Sequence, residues 1–251
     1  MIEITNLSKK YGDFLALDTL TLDIHRNKIT AIVGENGSGK STLLNILGRL
    51  QPASQGRVSV AHKDIHDYSH LEFAQKVGTL KQSNGINLRL TVKDLVCFGR
   101  YPHNQGKLCD EDLLIVEESL AFMNCLDLRD KYIDTLSGGQ LQRVYIAMIL
   151  AQDTDIMLLD EPLNNLDLKH AHEMMEIIRR LVDERNKTVV IIMHDINMVY
   201  RYADNVIALK HGRLMCDGCV EDVLNPRMLF DIYGMKFTVQ GCASHKVAFI
   251  E

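Results

Sequence analysis

The run Gly34, Glu35, Asn36, Gly37, Ser38, Gly39, Lys40, Ser41, Thr42 fits the spacing G-x-x-x-x-G-K-[ST] through Ser41. Glycines at those positions let the backbone curl until successive N–H groups point at phosphate oxygens. Lys40 then sets a cation against the β- and γ-phosphates, and the Ser41 hydroxyl is a ligand for Mg²⁺. A loop of this kind needs a strand before it and a helix after it. Ile29–Val33 is a short β-branched run, and Leu43, Leu44, Ile46, Leu47 and Leu50 recur at helical spacing. The loop therefore opens a helix whose first N–H groups and dipole favour an anion.

Two further groups of residues suit the same chemistry. Asp160 and Glu161 follow the apolar run Ile156–Leu159. They stand at the carboxyl end of an expected buried strand, where α/β sheets bind ligands. Asp160 fits the acid that holds Mg²⁺, and Glu161, pointing elsewhere, fits a group that polarises the attacking water. A pair of helix-capping acids is the alternative. Leu136-Ser137-Gly138-Gly139-Gln140 opens another helical run. Ser137 and Gln140 have capping-box spacing. Capping leaves the two glycines unexplained, since each costs about 1 kcal/mol inside a helix relative to Ala. Bare glycines at a helix start expose N–H groups and make a second anion site.

With that second glycine-tipped helix, the chain resembles the nucleotide-binding subunit of an ATP-binding cassette (ABC) transporter. The resemblance covers essentially all 251 residues. Leu136–Gln140 matches the signature that separates this family from other phosphate-loop proteins. Tyr11 resembles the aromatic that stacks on adenine. Gln82 resembles the Q-loop glutamine that touches Mg²⁺ and the water. Asp167, in Asn164-Asn165-Leu166-Asp167, resembles the D-loop acid, although the loop departs from the commoner Ser-Ala-Leu-Asp. His194 resembles the switch histidine that contacts the γ-phosphate. The resemblance implies a homodimer joined head to tail through ATP. Ser137, Gly138, Gly139 and Gln140 of one copy would complete the site built on Gly34–Thr42 of the other. Such an interface is isologous, so both sites form together.

The segment Leu90–His103, with Gly99-Arg100-Tyr101-Pro102, is similar to importers of iron–siderophore complexes, haem and vitamin B12, as are Asn225-Pro226 and Leu229–Gly234. The resemblance therefore implies an ATPase that drives ferric-siderophore import. Its partners would be integral membrane permease subunits, met through a groove near 82–105, and indirectly an extracytoplasmic substrate-binding protein. Haem, vitamin B12 or another cargo remain alternatives. So does a soluble ABC ATPase, such as an iron–sulfur assembly factor.

The elements that must position these residues read as α/β. The resemblance implies a RecA-like P-loop NTPase core over about 1–83 and 152–251. The first 25 residues alternate enough for an N-terminal antiparallel β subdomain, and 84–151 reads as an inserted α-helical subdomain. Within this frame Asp110–Leu126 and 169–184 are expected helices, and Thr188–Met193 a buried strand. Turns are expected at His211-Gly212 and Asp217-Gly218. Hydrophobic residues make up 46% and charged residues 24%, an ordinary globular balance. A net charge of -5 argues against nucleic-acid binding through bulk charge. No apolar run approaches the ~20 residues that span a bilayer. The N-terminus shows no signal segment, and six Cys suggest reduced thiols. The expected location is peripheral, on the cytoplasmic side of the cell membrane. Cys216/Cys219 and His62/His66/His70 have metal-like spacings but read more simply as a turn and a solvated segment. Lys9-Lys10 and Arg179-Arg180 read as solvated faces.

Overall fold

A computed structural model describes residues 1–81, 89–164, 166–242 and 245–251. Contacts divide the chain into two compact units, 1–67 with 188–251, and 68–187. The first unit begins with β1 (Ile2–Tyr11), β2 (Phe14–Ile24), β3 (Ile29–Val33), α1 (Lys40–Leu47), β4 (Gln55–Val60) and β5 (Lys63–Asp64). The second holds α2 (His70–Ala74), β6 (Val77–Leu80), α3 (Val92–Cys97), α4 (Tyr101–Asn104), α5 (Asp110–Phe122), α6 (Gly138–Ala151), β7 (Ile156–Leu159) and α7 (Leu168–Arg185). The chain then re-enters the first unit with β8 (Thr188–Ile192), α8 (Ile196–Tyr202), β9 (Asn205–Lys210) and β10 (Arg213–Cys219). It ends in α9 (Val220–Val223), α10 (Pro226–Tyr233), β11 (Phe237–Cys242) and β12 (His245–Ile250).

In the first unit, β1 pairs antiparallel with β2 on one side and β4 on the other. This is the antiparallel sheet expected at the N-terminus. A second sheet places β3 between β8 and β9, parallel to both, with β10 antiparallel beyond β9. Every residue of β3 and of β8 is buried. Parallel strands covered on both faces read as continuous apolar runs, which is why these two were legible without alternation. The β11–β12 hairpin leans on α8, where Asn197 accepts from the Ala248 N–H at 2.8 Å and donates back to its carbonyl at 3.2 Å.

In the second unit β6 and β7 run parallel. Helix α7 buries Ala171, Met174, Met175, Ile178, Leu181 and Val182 along one stripe, as its periodicity predicts. The contact boundaries of the two units fall at 67/68 and 187/188. The physical cause is close packing of α6 on β6: a Cβ on Gly78 would sit 2.7 Å from Ile149. That packing groups these strands with the helical segment. Among the described residues no helix is long and apolar enough to cross a membrane.

One local expectation fails. Asp217-Gly218 lies inside β10, paired with Ile207 and Val206; the chain has already reversed at His211-Gly212. His62, His66 and His70 are all exposed, in keeping with the solvated segment expected there, and they share no helix, because α2 starts only after Ser69, whose side chain forms a capping box with Glu72.

The Gly-Arg-aromatic-Pro stretch acts as a clamp within the second unit. Gly99 is pressed against α6, where a Cβ would lie 2.1 Å from the Met148 carbonyl. Arg100 is buried, donating to Asp112 at 2.9 Å and to the Ala151 carbonyl at 2.7 Å. The Asn104 amide, then the Arg100 guanidinium and the Cys109 N–H, hold the Asp112 carboxyl well below the usual range. Asp112→Asn leaves the buried guanidinium uncompensated and should cost about 3 kcal/mol in urea unfolding. The depressed carboxyl favours the folded state above its unfolded pKa near 4, and that contribution is lost as pH falls further. The variant's stability should therefore depend less on pH below about 4 than the parent's. Equal stability of the two at neutral pH would refute the clamp.

Candidate nucleotide site

The glycine-rich loop joins β3 to α1 in the first unit. Gly34 has φ 142°, and a Cβ there would meet the Leu209 carbonyl at 2.1 Å. Gly39, at the start of α1, has φ 102° and would bring a Cβ 2.7 Å from the Ala16 carbonyl. Both contacts are with backbone, so the loop path admits no side chain at either point. Lys40 is buried, and its ammonium donates to the carbonyls of Gly34 and Glu35, each at 2.9 Å. The loop thus wraps its own cation. Glu35, Asn36 and Gly37 are exposed at the crest, and Ser41 and Thr42 are half-buried in the first turn of α1. Ser38 Oγ is buried and has no hydrogen-bond partner among the described residues. A buried hydroxyl left unpaired is costly, which marks the loop as built for a polar guest.

The same unit carries Tyr11 and His194. Tyr11 ends β1 with its ring partly exposed and its hydroxyl donating to Gln51 Oε1. Its neighbour Lys9 is no solvated face: it is 9% exposed. His194 is exposed just beyond the end of β8, followed at once by Asp195, the N-cap of α8. Tyr233 was read in the sequence only as part of the Leu229–Gly234 stretch and was given no place beside the glycine-rich loop. It closes α10 beside Gly34 and Glu35, and burial pushes its hydroxyl up to about 12. Only its neighbours in space connect it to that loop.

In the second unit, Asp160 is buried, and its N–H donates to the Leu80 carbonyl at 2.9 Å, extending the β6–β7 ladder past the strand end. Glu161 adopts φ 50°. A left-handed backbone costs a non-glycine residue about 1 kcal/mol, and such outliers gather where a side chain must be aimed. The turn is held by Asn164, whose N–H donates to the Glu161 carbonyl at 3.2 Å and whose side-chain amide donates to the Glu161 carboxylate. In the sequence Asn164 counted only as a departure from the commoner D-loop.

Ser137 is the N-cap of α6, forming the full capping box with Gln140 at 3.1 and 3.3 Å. The capping explanation is therefore correct for Ser137 and Gln140. It does not extend to Gly138, which is exposed and where a Cβ would meet nothing within 4 Å. Packing does not require a glycine there. Gly139 is closer, 3.4 Å from Leu166 and 3.8 Å from His170 by the same measure. Asp167 caps α7 by accepting from the His170 N–H at 2.9 Å and from its ring Nδ1 at 2.8 Å. Those bonds hold the Asp167 carboxyl below its usual range. His170 thereby ties Asp167 to the start of α6. Gln82 and Asn165 lie outside the described residues.

Among the described residues no group of three or more His, Cys, Asp or Glu is placed to hold a metal ion. Cys216 and Cys219 lie three apart on β10, which points them to opposite faces. The oxygen donors expected for Mg²⁺, the Ser41 hydroxyl and the Asp160 carboxylate, are of the hard class that ion takes. Mg²⁺ characteristically binds through one or two such groups plus substrate phosphates, so the donor set fits.

Comparison with known proteins places these features in a family. The family model described as ABC transporter matches residues 17–164. The petrobactin import ATP-binding protein YclP of Bacillus subtilis (strain 168) is 45% identical over 247 residues, covering 98% of each chain. The ferric enterobactin transport ATP-binding protein FepC of Escherichia coli (strain K12) is 38% identical, covering 92% of this chain and 86% of its own. Among solved structures, a bacterial ABC transporter cassette determined as a dimer superposes with a TM-score of 0.78 at 32% identity. It covers 88% of this chain and 99% of its own.

Proposed function

The chain belongs to the ABC transporter family, and from that premise we propose that its ATPase drives uptake of an iron–siderophore complex through a membrane permease. It is an ATP-binding, ATP-hydrolysing subunit coupled to transport, with the α/β P-loop NTPase fold of the family's cassettes. Family members of this kind dimerise and work with permease subunits. The single observation that carries the cargo is full-length similarity, at 45% identity, to a petrobactin import protein. Delivery of that cargo by an extracytoplasmic substrate-binding protein, and a peripheral position on the cytoplasmic side of the membrane, belong to the same reading.

The residue roles are those the family resemblance implies, and the charge and donor type of each residue agree with them. The loop amides of Gly34–Thr42 and the Lys40 ammonium bind and orient the phosphates. Mg²⁺, when bound, neutralises charge on the β- and γ-phosphates, with Ser41, Asp160 and Gln82 as its protein ligands. Glu161 takes a proton from the attacking water, and Gln82 and His194 orient the water and the γ-phosphate. Tyr11 stacks on the base. Ser137, Gly138, Gly139, Gln140 and Asp167 act on the nucleotide held by the partner copy. ATP thus joins the two copies, and loss of its γ-phosphate releases them.

The test is iron-55 uptake in a cell lacking this gene, supplied with ferric petrobactin, ferric enterobactin, haem or ferric citrate. Uptake of a ferric siderophore should fall to background and return with the intact gene but not with Glu161→Gln. Normal siderophore uptake alongside lost haem uptake would overturn the cargo while leaving the ATPase in place.

A further inference from the structure

Lys9 is a nearly buried cation with an unusual set of neighbours. Its ammonium donates to the Pro52 carbonyl at 2.7 Å and lies 5.0 Å from the centroid of the Tyr11 ring. Among the described residues it has no carboxylate partner. At the far end of the ring, the Tyr11 hydroxyl donates to Gln51. Gln51 and Pro52 belong to the turn that leaves α1, where the N–H groups of Leu50 and Gln51 donate to the Asn45 carbonyl at 2.8 and 3.3 Å. Two backbone contacts complete the attachment: Ser54 N–H to the Ser8 carbonyl at 2.9 Å and Lys10 N–H to Ser54 Oγ at 3.0 Å. The end of β1 is therefore stapled to the exit of the helix that begins at Lys40. All of these residues lie in the first unit.

We propose that Lys9 and Gln51 are positioning residues for nucleobase recognition, locking the Tyr11 ring so that a single face receives a purine. This rests on the reading of Tyr11 as the base-stacking residue. An ammonium over one face of an aromatic ring draws π-density toward itself. It blocks that face and leaves the opposite one electron-poor, suited to an electron-rich adenine ring. The Gln51 acceptor stops the ring from swinging about its own bonds. A ring ordered before binding loses less freedom when the base arrives, so affinity improves without a new contact.

The experiment measures KM for ATP, kcat, and the inhibition constant of inorganic tripolyphosphate for the full chain and its Lys9→Met, Lys9→Arg, Gln51→Leu and Tyr11→Ala variants. Lys9→Met should raise the KM for ATP about three- to tenfold with kcat unchanged. Tripolyphosphate, which has no base, should inhibit as before. Lys9→Arg, which keeps a cation over the ring, should restore the parent KM, and Gln51→Leu should raise KM in the same direction. An unchanged KM in both Lys9→Met and Gln51→Leu overturns the proposal. So does a parallel loss of ATP and tripolyphosphate affinity, which would make the staple a support for the phosphate loop. If Tyr11→Ala itself leaves KM unchanged, it is the stacking role of Tyr11 that fails. If Lys9→Met does not fold, Gln51→Leu on the half-buried turn decides alone.

Discussion

Glu161→Gln should slow steady-state ATP turnover by about 10²- to 10⁴-fold while leaving ATP binding intact, as expected when a general base is removed. The substitution is close to isosteric. A glutamine carbonyl can still accept from the Asn164 side chain, which holds Glu161 now. The left-handed backbone at φ 50° is no harder for Gln than for Glu. Fold and turn should therefore survive, and only the proton acceptor is lost. Phosphate release reads the turnover and calorimetry reads the binding. In Mg-ATP the variant should accumulate as a dimer on size-exclusion chromatography, because the bridging γ-phosphate stays in place. Turnover at the parent rate would remove Glu161 from the chemistry.

Gly138→Asp should leave the protein at least as stable as the parent and still able to bind ATP, yet reduce hydrolysis by about 10²-fold or more. A side chain at 138 enters open space. Asp exceeds Gly in helix propensity by only about 0.3 kcal/mol, and an acid at a helix N-terminus is further favoured by the dipole. All the local terms thus favour the variant. What opposes it, on the proposed function, is a carboxylate presented to a triphosphate held by the second copy. A lowered melting temperature would show that Gly138 serves the fold. Full activity would show that no phosphate approaches this helix start.

Much of this was legible in the linear order of residues because the chemistry is local. A phosphate loop needs glycines, a lysine and a hydroxyl within one turn of chain, and a capped helix declares itself through Ser137 and Gln140 three residues apart. The two parallel strands β3 and β8 were legible because burial on both faces leaves each a nearly continuous apolar run, broken only by Thr30 and Thr188.

Other features depend on residues far apart in the chain. Lys9 looked like half of a solvated pair until Pro52 and Tyr11 covered it. The Arg100 of a family-like stretch turned out to be a buried clamp on Asp112. Tyr233 came to rest beside Gly34, almost two hundred positions away. The strict need for glycine at Gly34 comes from a carbonyl on β9, and the freedom at Gly138 from the lack of any neighbour. Hydrogen-bonding type and helical period are properties of short segments, so residue order alone determines them. Desolvation, close approach and the partner of a buried charge depend on which distant segments meet, and only the folded chain decides that.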